Sequence, residues 1–555
     1  MTTLNDAVQM EVFSHRLLAI TEEMGAQLVR SSFSPNIKER RDCSVALFDA
    51  KARLIAQAAH IPIHLGSLLG GVEALLRYYP LADMQPGDAF VCNDAYLAGG
   101  THLPDIAIIT PIFVEDEVRF FAANLGHHAD VGGPTPGSIS HAAGSIFAEG
   151  IRIPPTQVAR AGVVDDGVTR LIAQNSREPE ERDLDLRVQI ATNERGAERM
   201  QALVQRLGSD VTGAAVNDLI TYTAARLKSR VSRLPDGQYQ HTTWMDHDGM
   251  GGDPLPIVAS VNVNGDALTL DFTGTGPQSR GSYNVMPSGV AATVAYAIKA
   301  LLDPSLPPNS GLFDALRIDI PQGTILNPHF PAAVGARTTT CQKLAGAIFG
   351  AFRNFLPSDR AMADSHDVLA AMVFSGKRPQ PTTDTAGSTY VYLETIGGGN
   401  GALADRDGMD AAHVHITNSL NMPIEAVELE YPLRVEEYAL MPDSGGAGTF
   451  RGGLGIAREV RILDDHTTFS ARADSYVTQA EGASGGGPGS HCRVILNRGQ
   501  ADERIVEPRQ SALKVRAGDT VRLETPGGAG YGAPADRKVE LTQADRDDGK
   551  VTIRP

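Results

Sequence analysis

The sequence predicts an α+β protein of several domains, with an N-terminal α/β part and a β-rich, glycine-rich C-terminal part. A chain of 555 residues exceeds the size at which a single hydrophobic core usually stops growing. Helical and strand periodicities alternate through the first part, whereas the last part has short alternating segments between glycine clusters. We expect an N-terminal part at 1–235, a central α+β part at 236–384 and a C-terminal part at 385–555.

The first predicted element is a helix over residues 6–30, with Asp6 as a candidate cap. Its apolar residues recur at spacings of four or multiples of four, as on one face of an amphipathic helix. The next segments, "CSVALFD" and "RLIAQAAH", predict a hairpin, and "IPIHLGSLLGGVEALLRYY" predicts a loop that leads into a helix. The apolar stripe of the first helix consists of Val8, Val12, Ile20, Met24 and Leu28.

Three further strands are predicted, and each has a polar residue at one end. The segment "DAFVCND" ends at Asp94, "DIAIITPIF" begins at Asp105, and "VRFFAANLG" leads to His127. Residues at the ends of scaffold strands and in the adjoining loops often carry the chemistry of a protein. We therefore expect the functional residues of the N-terminal part at these strand ends.

Beyond residue 185 the predicted elements are first helical and then mostly strands. Residues 185–231 have a helical period, "PIVASVNVNGDALTLDFTGTG" contains a hairpin at "NGD", and two helices follow in "GVAATVAYAIKALL" and "TTCQKLAGAIFGAFRNFLP". Alternating segments after residue 385 predict strands, and "GGGPGS" and "GGAGYG" are interpreted as turns. The predicted C-terminal strands lie in "STYVYLETI", "VELEYPLRVEEYAL", "GIAREVRIL", "HCRVILN" and "DTVRLE".

Composition excludes several classes of function. The net charge of -17 argues against a nucleic-acid or anionic-membrane surface, since phosphate would be repelled. The four cysteines are far apart and form no CxxC pair, so neither a disulfide framework nor a zinc–thiolate site is expected. No signal peptide and no apolar run of about 18 residues is recognisable, so the expected location is cytoplasmic.

The segment "GGTHLPD" places His102 and Asp105 three residues apart with Pro104 between them. Proline makes a helix improbable here, and Gly99 and Gly100 allow a sharp bend, so the segment predicts a tight turn. A turn can direct an imidazole and a carboxylate towards one point. Such a pair suits either a metal ion or ordinary hydrogen bonds within a loop.

The segment "GHHAD" adds His127 and His128 at the end of a predicted strand. Neighbouring strand residues point to opposite faces, so at most one of the two histidines faces the loop. Nitrogen and oxygen ligands without thiolate suit Zn, Mn or Fe, and such an ion would lower the pKa of a bound water to about 7. His60 and His64 are further candidates, either as extra ligands or substrate contacts, or as hydrogen-bonded polar residues of a loop.

The run "KERRD" places Arg40 and Arg41 next to Asp42. These arginines fit either a solvated loop with an ion pair or a site that neutralises an anionic intermediate. Arg337 offers the same possibility, whereas Cys341 lacks a local base and is interpreted as a core or helix-start residue. No phosphate-binding loop is present, so no nucleotide site is recognisable in the chain, and an α/β-hydrolase nucleophile elbow is not supported.

Four segments resemble the hydantoinase B/oxoprolinase family over residues 6 to about 535: "NDAYLAGGTHLPD", "GHHADVGG", "NMPIEAVELEYPLRVEEYALMPDSGGAGTFRGGLG" and "LETPGGAGYG". This resemblance implies a B-type subunit or domain of an ATP-dependent hydrolase of cyclic amides such as hydantoins, oxoproline or lactams. It also implies a partner, a hydantoinase A-type subunit that binds ATP and Mg, in a hetero-oligomer such as A2B2. The expected substrate is a small cyclic amide that the partner activates by phosphorylation.

The resemblance further implies one divalent metal, Zn or Mn, and a set of ligands for it. The matching positions are Asp42, His102, Asp105 and His127, with His127 chosen over His128 by this resemblance. Arg40 or Arg41 would then balance the charge of the phosphate as catalytic residues. Two alternatives remain: a subunit of an ATP-dependent ketone carboxylase, and a non-catalytic scaffold for the A-type subunit.

Overall fold

Eleven α-helices and four β-sheets are present in the computed structural model, which describes residues 7–353, 355–357, 360–378 and 389–552. No helix in these ranges is long and apolar enough to cross a membrane. The helices are α1 (Ala7–Ser31), α2 (Pro35–Lys38), α3 (His64–Tyr78), α4 (Asp166–Ala173), α5 (Pro179–Leu207), α6 (Ser209–Val231), α7 (Pro287–Leu302), α8 (Gly311–Asp314), α9 (Arg337–Arg353), α10 (Ile424–Glu430) and α11 (Val539–Asp547).

The N-terminal part is built around a seven-stranded antiparallel sheet that is covered on both faces. Alternate residues of its first strand enter two different cores: Leu47 packs in the cluster of α1, and Phe48 in the cluster of α3. α5 packs against the fourth and fifth strands. The strands are β1 (Cys43–Asp49), β2 (Leu54–Gln57), β3 (Ala89–Cys92), β4 (Asp105–Val114), β5 (Glu117–His127), β6 (Thr156–Arg160) and β7 (Val163–Val164), in the order β2-β1-β5-β4-β3-β6-β7.

The central part is a four-stranded sheet against which α9 packs, and α9 also packs against α7. This layer shares one apolar core with the α3 face of the seven-stranded sheet. It thereby brings the first turn of α9 towards the N-terminal sheet. The strands are β8 (Gly237–Met245), β9 (Leu255–Asn264), β10 (Ala267–Asp271) and β11 (Leu316–Asp319), in the order β11-β10-β9-β8.

Two sheets are built from the C-terminal part together with one strand, β12, from the end of the predicted central part, and a separate apolar cluster draws its residues from both sheets. The first consists of β12 (Ala370–Lys377), β13 (Thr389–Ile396), β16 (Thr467–Arg472) and β19 (Arg509–Val515), in the order β13-β12-β16-β19. The second consists of β14 (Leu433–Leu440), β15 (Ile456–Ile462), β17 (Arg493–Leu496), β18 (Arg504–Val506) and β20 (Thr520–Glu524), in the order β14-β15-β20-β17-β18.

Most of the predicted elements are confirmed, including the first helix, the β1–β2 hairpin, the three strands that follow and the hairpin at "NGD". The strand predicted from "VELE" is wrong, because these residues belong to α10. Pro423 occupies the N-cap position of that helix, and Glu425 lies in its first turn, where a carboxylate interacts favourably with the helix N-terminus. Asp6 and the boundary at 384/385 lie outside the described residues, and the domain division stays a prediction.

The glycine-rich C-terminal segments are not mainly turns, which corrects the sequence-based interpretation. They are extended segments that pack against one another through backbone hydrogen bonds: Gly528 N–H donates to Gly453 O at 2.9 Å, and Gly453 N–H donates to Asn400 O at 2.8 Å. A Cβ on Gly453 would lie 1.9 Å from the carbonyl oxygen of Met409. Glycine is required there by the close approach of two backbones, which a single sequence segment does not reveal.

Asp303, at the C-terminal end of α7, provides a prediction about stability and pH. Arg226 donates to its carboxylate at 2.7 and 2.8 Å, and Arg230 donates at 3.0 Å. Burial raises the pKa of Asp303, but the hydrogen bonds from Arg226, Ser305 and Arg230 more than reverse this and lower it. We expect Asp303→Asn to lower the free energy of unfolding at pH 7 by about 1–3 kcal/mol, because it weakens charge-assisted hydrogen bonds.

The loss of unfolding free energy caused by Asp303→Asn is expected to become progressively smaller at low pH. A carboxylate with a lowered folded-state pKa stabilises the fold above its ordinary pKa of about 3.9, and this stabilisation is lost as the pH falls through the folded value. Urea unfolding at pH 7 and in steps down to pH 3 measures the difference between wild type and variant. Asp319→Asn, in an exposed pair with Arg317, is the control and should change stability by less than about 1 kcal/mol. If the loss of unfolding free energy in Asp303→Asn grows as the pH falls, Asp303 does not stabilise the fold as an ionised carboxylate.

Candidate metal centre

Three neighbouring strands of the seven-stranded sheet bring their polar ends to one edge. β1, β5 and β4 are adjacent, with Asp105 directly opposite His127 in the antiparallel register. Asp42 immediately precedes β1, and its carbonyl oxygen accepts a hydrogen bond from His127 N–H at 3.0 Å. Directly opposed residues carry their side chains on the same face of the sheet, so Asp105 and His127 are brought together by the register itself.

His102, in the turn before β4, completes a cluster of three buried ligand atoms. Its Nε2 lies 3.0 Å from Asp105 Oδ1 and 3.2 Å from His127 Nδ1, and the last two atoms are 3.0 Å apart. Atoms that share one ion at about 2.1 Å are separated by roughly this distance. The three residues therefore fit a divalent metal ion, with two nitrogen donors and one oxygen donor.

The protonation states also fit a metal site. Burial, together with the nearby Arg337 charge, lowers the pKa of His102 to about 3, so its imidazole is neutral at pH 7. Burial raises the pKa of Asp105, but its neighbours His102 and Arg337 reverse this and hold the pKa well below its ordinary range. A neutral imidazole and an ionised carboxylate are the forms that bind metals.

Further contacts fix the orientation of these side chains. Nδ1 of His102 donates to the carbonyl oxygen of Gly335 at 3.0 Å, which leaves Nε2 for the cluster. Asp105 Oδ2 accepts from the Thr101 hydroxyl at 2.9 Å and from the Arg337 guanidinium. Hydrogen bonds of this kind orient metal ligands and tune their basicity.

Asp42 and His64 lie beside the three-residue cluster. His64, the first residue of α3, has its Nε2 3.4 Å from Asp42 Oδ1 and 3.7 Å from Asp105 Oδ1. The Ser44 hydroxyl lies 3.1 Å from its Nδ1. Burial lowers the pKa of His64, although the two carboxylates oppose this, so its imidazole is neutral at pH 7.

The other sequence-predicted residues differ in their surroundings. His128 points away from the cluster, with its Nε2 3.0 Å from Gln189 Oε1 on α5, as strand alternation predicts. Arg40 is fully buried, lies 3.6 Å from Asp42 Oδ2 and donates to Asn36 and Thr395. Arg41 is exposed and has a positive φ of 55°. Only Arg40 of this pair therefore lies beside the cluster.

A cavity of about 30 Å³ opens onto these side chains. That volume is about twice the minimum for one ordered water, so small polar groups such as an ion, a water or an oxygen of an anion can enter it. Apolar side chains complete the walls: Ile61, Ile63, Ile139, Leu369 and Leu393. Its polar lining includes Asp42, His64, His102, His127, Arg337, Thr338, Thr395 and Arg472.

Thr338, Thr395 and Arg472 of this lining were not among the sequence candidates for the site. Thr338 lies in the first turn of α9 and Arg472 ends β16, so both reach the cavity only through the packing of distant segments. The one sequence signal for Arg472 was a cation in the otherwise uncharged strand segment "TTFSAR". Cys341 is buried in α9, as predicted for a core residue.

The fold and the cluster define a mixed helix-and-sheet protein that carries a buried histidine–aspartate site able to hold a metal. The profile of one family, hydantoinase B/oxoprolinase, matches residues 6–534. The chain therefore belongs to the hydantoinase B/oxoprolinase family, as the sequence resemblance predicts.

Relatives in other organisms share this sequence over almost the whole chain. An uncharacterised protein of Methanocaldococcus jannaschii is 35% identical over 99% of this chain and 94% of its own length. A protein of a Pseudomonas strain, assigned as the B-type component of a D-/L-hydantoinase, is 31% identical over 99% of this chain and 93% of its own length. The 5-oxoprolinase 1 of Arabidopsis thaliana is 31% identical over 95% of this chain, but the match spans only 42% of that longer protein.

Two solved structures have the same fold. The ATP-dependent caprolactamase of Pseudomonas jessenii superimposes with a TM-score of 0.90 at 27% identity, covering 99% of this chain and 95% of that one. Acetone carboxylase superimposes with a TM-score of 0.88 at 19% identity, covering 99% of this chain and 78% of that one. At this identity the second match establishes the shared fold only.

Proposed function

We propose that this chain is the metal-dependent catalytic B-type subunit of an ATP-dependent cyclic-amide hydrolase. It opens a hydantoin, oxoproline or lactam ring that a partner A-type subunit has activated by phosphorylation. The observation that carries the proposal is the meeting of His102, Asp105 and His127 within 3.2 Å of one another at the edge of the sheet. Relatives named as a 5-oxoprolinase, a hydantoinase component and a caprolactamase support the choice of cyclic amides.

Phosphorylation explains why two subunits would be needed. An amide carbon is a poor electrophile and its nitrogen is a poor leaving group, whereas a phosphorylated amide oxygen makes the carbon much easier to attack. The sequence contains no phosphate-binding loop, so we assign ATP and Mg to the A-type partner. Assembly as a hetero-oligomer such as A2B2 is part of this proposal.

We assign Asp42, His102, Asp105 and His127 as the residues that hold one divalent ion, Zn or Mn. When bound, such an ion supplies Lewis-acid chemistry that makes water acidic near neutral pH. The strand register holds Asp105 and His127 in place, and Arg337 keeps Asp105 ionised. The burial of all three cluster residues keeps bulk water from the activated substrate.

Two neighbouring residues are assigned supporting roles. His64 is neutral and lies between Asp42 and Asp105, so its Nε2 is placed to accept a proton from the attacking water. Arg40 offsets the charge of Asp42 and, through Asn36, steadies the backbone carbonyl of His127. The sequence-based prediction was that Arg40 or Arg41 balances the charge of the phosphate; of the two we retain Arg40 as the candidate, because Arg41 faces solvent.

Replacing His64 with glutamine is expected to slow ATP-dependent ring opening by about a hundredfold, because a positioned proton acceptor contributes about 10²–10⁴-fold. Metal content should stay near that of the wild type, since His64 is not among the three closest ligand atoms. The control is His60→Gln, which changes a nearby, partly buried histidine outside the metal cavity. Equal turnover by both variants would exclude the role assigned to His64.

The proposal as a whole is tested by purifying the chain with its A-type partner. Metal content is measured, followed by ATP-dependent turnover over a panel of hydantoins, oxoproline and lactams, with and without bicarbonate. We expect metal-dependent ring opening that does not need bicarbonate. A requirement for bicarbonate and a ketone would instead indicate a carboxylase. Full turnover with a metal-free chain would indicate a non-catalytic scaffold.

A further inference from the structure

One buried arginine beside the metal centre has no carboxylate partner. Arg472 is only 5% exposed, lines the cavity, and has no carboxylate within 4.0 Å among the residues that the structure describes. Its Nη1 lies 3.4 Å from the carbonyl oxygen of Gly335, and its Nε has no hydrogen-bond partner. A buried, unpaired cation costs free energy, so such a group calls for an anionic partner.

The charges around the cavity do not balance. Three guanidinium groups, of Arg40, Arg337 and Arg472, face two carboxylates, those of Asp42 and Asp105. Arg337 is engaged by Asp105 and Arg40 by Asp42, which leaves Arg472 as the excess charge. Burial lowers the pKa of Arg472 to about 10, so it remains protonated at neutral pH.

The N-terminus of α9 adds a second group that favours an anion. This helix has 17 residues, and Thr338 in its first turn lines the same cavity. Thr338 is 5% exposed, and its hydroxyl has no hydrogen-bond partner in the structure. Helix N-termini carry a partial positive charge and commonly bind phosphate.

We propose that Arg472, Thr338 and the N-terminus of α9 form a subsite for the phosphoryl group of the activated substrate. A guanidinium presents parallel N–H donors that match two oxygens of a phosphoryl group. The statement that the anion is the phosphoryl group of an activated substrate rests on the proposed function. The existence of an anion subsite does not depend on it. The subsite favours the ring after phosphorylation, because the unmodified amide oxygen carries no charge to pair with Arg472.

Inorganic phosphate is the probe for this subsite. Calorimetric titration of the chelator-treated chain, without metal, should give one phosphate per chain. Arg472→Met should weaken binding by about tenfold or more, since a hydrogen bond to a charged group is worth about 1.5–3 kcal/mol. Thr338→Val should weaken binding less, and the exposed control Arg317→Met should leave it unchanged.

Stability measurements separate binding from a structural role. Methionine in place of an unpaired buried arginine should leave the melting temperature unchanged or raise it. Wild-type phosphate affinity in Arg472→Met would overturn the subsite, as would the absence of phosphate binding to the metal-free wild type. Acetate that binds as tightly as phosphate would overturn the assignment to a phosphoryl group.

The result of the phosphate titration is independent of the test of the proposed function. If Arg472→Met binds phosphate normally while metal-dependent ring opening is observed, the subsite fails and the function stands. If the metal-free chain supports full turnover, the function fails whatever the phosphate titration shows.

Discussion

Replacing Asp105 with asparagine is expected to remove the bound metal and to lower ATP-dependent turnover by about a thousandfold. Asp105 Oδ1 is the atom that contacts both His102 and His127, and among the described residues it is the one carboxylate in the group of three closest ligand atoms, with Asp42 beside them. Lewis-acid catalysis contributes several kcal/mol, and each 1.36 kcal/mol is about a tenfold change in rate. Metal analysis and turnover with the A-type partner measure the two effects.

The Asp105 variant also leaves Arg337 without its carboxylate partner, so stability has to be separated from metal binding. Asp94→Asn is the matched control, because Asp94 is fully buried and pairs with Arg152 at 2.7 Å but does not line the metal cavity. Both variants should unfold more easily, yet only Asp105→Asn should lose metal. Asp105→Asn that retains one metal per chain and full turnover would refute the ligand assignment.

Replacing Gly453 with alanine is expected to destabilise the C-terminal part by about 3 kcal/mol or more, or to prevent its folding. Its Cβ would lie 1.9 Å from the carbonyl oxygen of Met409, and that oxygen belongs to a backbone held by Asn400 N–H at 2.9 Å. The neighbouring backbone can move only by breaking hydrogen bonds between the packed glycine segments. Denaturant unfolding and soluble yield measure the effect.

Gly213→Ala is the matched control for this substitution. Gly213 lies in α6, and a Cβ there would meet no atom within 4 Å. Alanine should stabilise this position by about 0.5–1 kcal/mol, because it costs less conformational entropy than glycine in a helix. If Gly453→Ala is tolerated as well as Gly213→Ala, the close packing of the glycine segments is not as described.

The strand ends of the site could be predicted from the sequence because they follow from local patterns. The apolar runs beside "THLPD" and "GHHAD" gave β4 and β5. Strand alternation indicated that at most one of His127 and His128 faces the site, and the choice of His127 depended on family resemblance. The opposition of Asp105 and His127 then follows from antiparallel pairing. The choice of Asp42 depended on family resemblance, since no local pattern distinguishes it from an ordinary loop carboxylate.

Other features depend on packing between distant segments and were not predictable from local pattern. His64 was only one of several loop histidines until the position of α3 placed it beside Asp42. Arg472 reaches the cavity from a different sheet, more than 300 residues along the chain from Asp105. The glycine segments were interpreted as turns because composition shows flexibility, whereas the close backbone contacts that require glycine appear only in the folded chain.

The most direct test of the central claim is anomalous X-ray scattering from crystals of the chain, with the metal identified at its absorption edge. We expect one divalent ion per chain, with its density between His102 Nε2, Asp105 Oδ1 and His127 Nδ1. The metal assignment would be contradicted if crystals of an active, metal-containing preparation showed no anomalous density at this position or showed the metal elsewhere.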